Sequence, residues 1–146
     1  YNFGGAVDDI WQKPNGDLIV IDVKSTSKNV FDWEDTYSKW EYAKGYRRQL
    51  EMYQWLLEKN GFNVASEGYL VYYNGKKHEP MFNQQLTFDL HLVKLECNNS
   101  WVEEAVLNAK ATLDGDMPKP SKSCDNCNYL RKRWEVSQKD PTQLIE

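Results

Sequence analysis

The run LIVIDVKST at residues 18–26 restricts the fold more than any other stretch of the sequence. A continuous series of branched aliphatic residues is typical of a strand that is buried on both faces of a sheet. Side chains alternate along a strand, so Asp22 and Lys24 lie on the same face as Val20. The run therefore predicts a buried strand that ends in a carboxylate beside an amine.

Length and composition indicate one domain with one core. The chain has 146 residues, 40% of them hydrophobic, and this is enough for a single domain. The expected fold class is α/β or α+β. Its net charge of -4 excludes a basic protein that coats nucleic acid through bulk electrostatics. There is no apolar run of about 18 residues and no signal-peptide pattern at the start. The three cysteines are an odd number in a chain too large to need disulfides, which favours a reducing compartment. We expect a cytoplasmic protein without a membrane partner.

The coarse order of elements is predicted from periodicity and turn residues. Asn15-Gly16 favours a tight hairpin between residues 4–12 and the buried strand. Apolar residues spaced by three and four predict a long helix over residues 38–60. Two more strands and a helix follow at residues 65–75, 86–96 and 100–114. The predicted fold is a mixed sheet flanked by helices, in the order ββαββα.

The strand at residues 86–96 has its own alternation. Its apolar set, Leu86, Phe88, Leu90 and Leu92, is predicted to form the buried face. His91 lies on the polar face, and both His91 and His78 are predicted to be surface residues.

Carboxylates converge in the predicted hairpin. The alternation of the first strand turns Asp8 toward Asp22, whereas Asp9 points to the opposite face. Two carboxylates at one sheet end favour a hard divalent cation such as Mg²⁺ or Mn²⁺. An ordinary salt bridge at the end of a strand is the structural alternative for Asp8, Asp22 and Lys24.

Three motifs occur in a fixed order between residues 4 and 57: Gly5-x-x-Asp8, Asp22-x-Lys24 and Gln49-x-x-x-Tyr53. In this order they resemble the PD-(D/E)XK nuclease superfamily, and specifically the RecB-like branch that includes phage exonucleases and CRISPR-associated nucleases. The resemblance implies a restriction-endonuclease-like core and a divalent metal, Mg²⁺ or Mn²⁺.

The resemblance also implies roles for individual residues. Asp8, Asp22 and the backbone carbonyl of Val23 would hold the metal. Lys24 would position or activate the attacking water and stabilise the charge that develops on the phosphate.

Further residues are expected near the substrate. Gln49 and Tyr53, one helical turn apart, would reach the site or the nucleic-acid backbone, with helix packing as the alternative. The cations Arg47, Arg48 and Lys28 are predicted to contact phosphates.

The sequence departs from the superfamily pattern in two places. Many relatives have an arginine after the first aspartate, where this chain has Asp9. The first helix of the superfamily, which supplies a metal ligand in relatives, is expected to lie before residue 1, so the chain is expected to be part of a larger protein or complex.

Two cysteines, Cys124 and Cys127, lie in a C-terminal segment of different composition. We expect a nuclease core over residues 1–118 and a tail over residues 119–146 that packs on it. Some RecB-like relatives bind an iron-sulfur cluster through one early cysteine and three clustered late ones. This chain has only two late cysteines, its third, Cys97, lies well upstream of them, and there is no early one. A cluster is therefore not expected. The pair is interpreted as a remnant metal site or as packing residues, with a structural Zn²⁺ site as the alternative.

The predicted function is hydrolysis of DNA phosphodiester bonds by a metal-dependent exonuclease or strand-processing nuclease. A non-catalytic nucleic-acid-binding or docking module with the same fold is the main alternative. A sugar- or nucleotide-processing enzyme with an unrelated metal site is a third, and the sequence has no glycine-rich phosphate loop to support a nucleoside triphosphatase.

Overall fold

The computed structural model describes residues 2–78 and 84–138. Within them the elements are β1 (Asp9–Gln12), β2 (Leu18–Thr26), α1 (Trp33–Lys39), α2 (Glu41–Lys59), β3 (Val64–Gly75), β4 (Phe88–Glu96), α3 (Val102–Asp114) and α4 (Asp125–Ser137). The predicted mixed sheet with flanking helices is confirmed. The described elements include two helices that the sequence reading missed, α1 and α4.

The four strands form one sheet in the order β1-β2-β3-β4. β1 and β2 are antiparallel and joined by the predicted turn, in which Gly16 has a φ of 92°. β2 and β3 are parallel, and α1 and α2 form the crossover between them. β4 returns antiparallel to β3. The charged end of β2 pairs with β3 and extends beyond the β1 ladder, which stops at Ile21.

The helix predicted over residues 38–60 corresponds to α2 and to the last two residues of α1, which Trp40 separates. This residue has an extended backbone (φ -121°, ψ 119°), so it ends α1 and also caps α2. Asp32 caps α1, since its side chain accepts a hydrogen bond from the Asp35 amide. The apolar period continues through the break, which is why periodicity alone predicted one helix.

α2 covers one face of the sheet and creates the main core. Leu50 is fully buried against residues of three strands, which are Val20, Leu70, Tyr72 and Val93. Full burial of a leucine side chain contributes roughly 1.5–3 kcal/mol. α2 is therefore held firmly over the face that carries Asp22 and Lys24.

The prediction for β4 was wrong about which face is buried. Leu90 and Leu92 are 63% and 55% exposed, whereas Val93 is 8% exposed. Val93 pairs with Leu70 of β3, so the register places the odd-numbered residues of β4 toward the helices. His91, predicted to be a surface residue, is half-buried and stacks on the Phe31 ring at 4.1 Å between centroids.

The chain forms two compact units, Tyr1–Val106 and Leu107–Glu146, and the division falls within α3. The first unit contains the sheet, α1 and α2; the second contains α4. The predicted core of residues 1–118 and the packing of a tail of residues 119–146 upon it stay predictions. No helix in the described part of the chain is both long and apolar enough to cross a membrane.

Candidate active site

Asp22 and Lys24 form an ion pair under α2. Asp22 is 1% exposed, and Lys24 Nζ lies 2.6 Å from its Oδ2. Burial raises the pKa of the Asp22 carboxyl, and the nearby Asp8 raises it further, while Lys24 acts in the opposite direction. A carboxylate this deep in the fold needs positive charge beside it.

Asp8 meets this pair at the start of β1. It lies one residue before the strand, and its Oδ2 accepts a 2.8 Å hydrogen bond from the amide of Val23. The β1–β2 ladder starts at Asp9, opposite Ile21, so the Asp8 side chain takes the place of a strand partner for Val23. The amide and the carbonyl of one strand residue face the same edge, so the Val23 carbonyl lies on this edge as well.

A chain of hydrogen bonds links Lys24 to α2. Lys24 Nζ donates to Gln49 Oε1 at 3.1 Å, and Gln49 Nε2 donates to the Tyr53 hydroxyl at 3.0 Å. Lys24 Nζ also lies 4.5 Å from the centre of the Tyr46 ring. Gln49 and Tyr53 therefore contact the lysine directly and through one hydrogen bond, and they fix its direction.

Gly5 has a structural reason to be a glycine. A Cβ atom there would lie 2.7 Å from Cε1 of Tyr53, closer than side chains normally approach. The segment that carries Asp8 thus packs directly on the tyrosine that supports Gln49.

Asp9 points away from the site. Its carboxylate accepts hydrogen bonds from the Ile10 amide at 2.8 Å and from Trp11 Nε1 at 3.1 Å. Trp11 shares a sheet face with Asp9, opposite to that of Asp22.

Arg47, a predicted phosphate contact, has partners within the fold. Its Nε donates to Glu51 Oε1 at 3.0 Å, and a hydrogen bond to Tyr37 raises its pKa. Glu51 is 5% exposed and also accepts hydrogen bonds from the Asn98 amide and from Trp101 Nε1. The sequence reading missed Glu51, which joins α2 to the segment that follows β4.

The other two predicted phosphate contacts differ in their surroundings. Lys28 Nζ donates to Thr36 Oγ1 at 2.5 Å, and the Lys28 backbone pairs with the Asn74 side chain through two hydrogen bonds. Arg48 is 53% exposed and has a loose 3.5 Å contact with Glu41. Arg48 is thus the more accessible of the two.

The donor set fits a divalent cation of the Mg²⁺ type. Within residues 2–78 and 84–138 no three His, Cys, Asp or Glu side chains cluster as a complete metal cage. Mg²⁺, however, is commonly bound by one or two carboxylates, with water and substrate phosphate as further ligands. Asp8 and Asp22 offer two carboxylates of this kind, and the Val23 carbonyl offers a third oxygen. A cation bound there would also neutralise the buried charge of Asp22.

The cysteines lie in different units. Cys124 caps α4, and its Sγ accepts a 3.3 Å hydrogen bond from the Cys127 amide. Hydrogen bonding from Cys127 lowers the pKa of the Cys124 thiol. Burial raises the pKa of Cys97, in the first unit, to about 11.

Comparison with known proteins agrees with the motif order. The family model of the PD-(D/E)XK nuclease superfamily matches residues 1–131, which is most of the chain. No curated protein and no solved structure matches it significantly. Members of the superfamily generally use divalent metals, and membership indicates nuclease activity on nucleic acid. The chain belongs to the PD-(D/E)XK nuclease superfamily.

Proposed function

We propose that this chain is a Mg²⁺- or Mn²⁺-dependent nuclease that hydrolyses DNA phosphodiester bonds, as an exonuclease or strand-processing nuclease of the RecB-like branch. The observation that supports this most is the buried Asp22–Lys24 pair, which lies beside Asp8 at the start of β1. Such a pair is an expensive arrangement for structure alone.

Asp8, Asp22 and the Val23 carbonyl would hold the cation. A divalent cation there supplies positive charge that offsets the charge building up on the scissile phosphate. Asp22 is almost fully buried, so little water would screen the attraction between its carboxylate and the cation.

Lys24 is the second source of positive charge. Its ammonium group has three donors, two of which face Asp22 and Gln49. The third would orient the attacking water or donate to a phosphate oxygen. Gln49 and Tyr53 act as positioning residues, since they set where that donor points.

The nucleic-acid backbone would pass over the start of α2. Arg48 is exposed there and suits a direct phosphate contact. Arg47 and Lys28 have partners within the fold, so fewer of their donors remain for a direct phosphate contact than in Arg48.

The test is degradation of labelled linear DNA, with and without Mg²⁺ or Mn²⁺. Asp22→Asn and Lys24→Met should each abolish metal-dependent cleavage, because one removes a ligand and the other a donor to the phosphate. The matched controls Asp35→Asn and Lys39→Met alter an exposed ion pair on α1 and should cleave like the wild type.

Wild-type rates in Asp22→Asn or Lys24→Met would contradict the assignment of the site. DNA binding without any cleavage by the wild type would favour a non-catalytic module with the nuclease fold.

A further inference from the structure

A pocket of about 180 Å³ lies beside Lys24, between the end of β2 and the two crossover helices. Four aromatic side chains line it, Phe31, Tyr42, Tyr46 and Tyr72, with Lys28 and Thr36 among its polar lining residues. We refer to it as the aromatic pocket.

The aromatic pocket lies next to the candidate active site. Tyr46 lines it and lies under the Lys24 ammonium, 4.5 Å from ring centre to Nζ. Tyr72 pairs in register with Lys24 on the neighbouring strand, so the two side chains share one sheet face. A group bound in the pocket would therefore be next to a phosphate bound at Lys24.

Tyr72 brings a polar group to this pocket. Its side chain is only 5% exposed and lines the cavity. A tyrosine combines an apolar ring with a hydroxyl that can donate or accept a hydrogen bond. The pocket therefore suits a ligand that carries polar edges as well as a flat apolar face.

A nucleobase matches these properties. Every base has a π-face that stacks on aromatic side chains, and its edge carries hydrogen-bonding groups. The volume is below the roughly 300–1,000 Å³ of pockets for drug-sized ligands, which suits one ring system.

We propose that the aromatic pocket binds one unpaired nucleobase of the nucleic acid whose phosphate lies at Lys24. The inference rests on the proposed nuclease function and narrows its substrate class. A base inside a duplex must leave the stack before side chains can enclose it. The preferred substrate is therefore a strand with an unpaired end or a single-stranded stretch, rather than a blunt duplex.

Tyr42 is the best position for the test because it lines the pocket and is 46% exposed, so its loss should leave the core intact. Tyr42→Ala removes one stacking face, and Tyr42→Phe restores the ring. Tyr73→Ala is the matched control, since Tyr73 is 42% exposed and lies on the opposite sheet face. Circular dichroism melts would show that each variant is folded.

The first readout is binding, measured by fluorescence anisotropy in EDTA so that nothing is cut. A short single-stranded oligonucleotide is compared with a series in which one abasic site moves along the strand. The wild type and Tyr73→Ala should bind the strand with the abasic site at one particular position at least about fivefold more weakly than the intact strand. This is the lower end of what one stacked base contributes. Tyr42→Ala should bind the intact strand correspondingly more weakly and respond less to that position, and Tyr42→Phe should behave like the wild type.

Wild-type insensitivity to every abasic position, or unchanged binding by Tyr42→Ala, would overturn the pocket proposal. The second readout, cleavage in Mg²⁺ or Mn²⁺, separates the two proposals. Position-dependent binding with no cleavage would contradict the proposed nuclease function and support the proposed pocket. Equal cleavage of blunt and single-stranded DNA, unaffected by Tyr42→Ala, would support the proposed nuclease function and contradict the proposed pocket.

Discussion

Gly5 and Tyr53 pack so closely that a Cβ atom on the glycine would lie 2.7 Å from Cε1 of the tyrosine ring. Tyr53 in turn accepts a hydrogen bond from Gln49, which accepts one from Lys24. The first and third sequence motifs are therefore joined by direct contact, and the second is joined to them through Gln49.

Gly5→Ala should displace the Tyr53 ring and weaken its contact with Gln49. Overpacking of this kind costs about 1–3 kcal/mol, and we expect the lower end because the glycine segment is exposed. DNA cleavage should fall severalfold, since Lys24 loses its fixed direction. Gly4→Ala is the control, because nothing lies within 4 Å of a Cβ atom there. Equal melting temperatures and rates for the two variants would contradict this explanation of the motif.

The Asp22–Lys24 pair should show strong thermodynamic coupling. Lys24→Met leaves Asp22 buried without its ion-pair partner, and the free energy of unfolding should fall by about 3 kcal/mol. Asp22→Asn combined with Lys24→Met should recover most of this loss, because no unpaired charge remains. Urea unfolding in EDTA of the two single variants and the double variant measures the coupling. Simple additivity of the two single losses would argue that the pair is not coupled.

Glu51 should be a major determinant of stability without being part of the chemistry. Its carboxylate accepts hydrogen bonds from Arg47, the Asn98 amide and Trp101, so Glu51→Ala leaves three partly buried donors without their acceptor. We expect a loss of about 3 kcal/mol in thermal or urea unfolding. Glu58→Ala, on the exposed side of the same helix, should change stability by less than about 1 kcal/mol.

The three cysteines should react with iodoacetamide at different rates. The thiolate is the reactive form, so the lowered pKa of Cys124 should make it the first to be alkylated at neutral pH. Cys97, with a pKa of about 11, should react last and accelerate only as the pH approaches that value. Cys127→Ala should slow Cys124, because loss of its thiol hydrogen bond returns the Cys124 pKa toward its ordinary value. Peptide mapping by mass spectrometry between about pH 6 and pH 9 gives the order, and faster modification of Cys97 would contradict it.

The central strand and the charged end of β2 could be predicted because alternation with period two is a local property of the sequence. The same local reasoning predicted α2 but not its start. Trp40 fits the apolar period of the helix, and only its extended backbone in the fold divides α1 from α2.

Other features depend on contacts between distant residues. Alternation shows that Leu90 and Leu92 share a face, but the pairing of Val93 with Leu70 decides which face the helices cover. Glu51 looks like an ordinary helix charge, because two of its donors lie 47 and 50 positions further along the chain.

The most direct test of the proposed site is isothermal titration of Mg²⁺ and Mn²⁺ into the wild type, Asp22→Asn and Asp9→Asn. Asp9 is the matched control, since it neighbours Asp8 in sequence but faces the other side of the sheet. Binding should be retained in the wild type and in Asp9→Asn, and weakened at least about tenfold in Asp22→Asn. Wild-type affinity in Asp22→Asn, or an equal loss in Asp9→Asn, would contradict the proposal that Asp8, Asp22 and the Val23 carbonyl form the metal site of a nuclease.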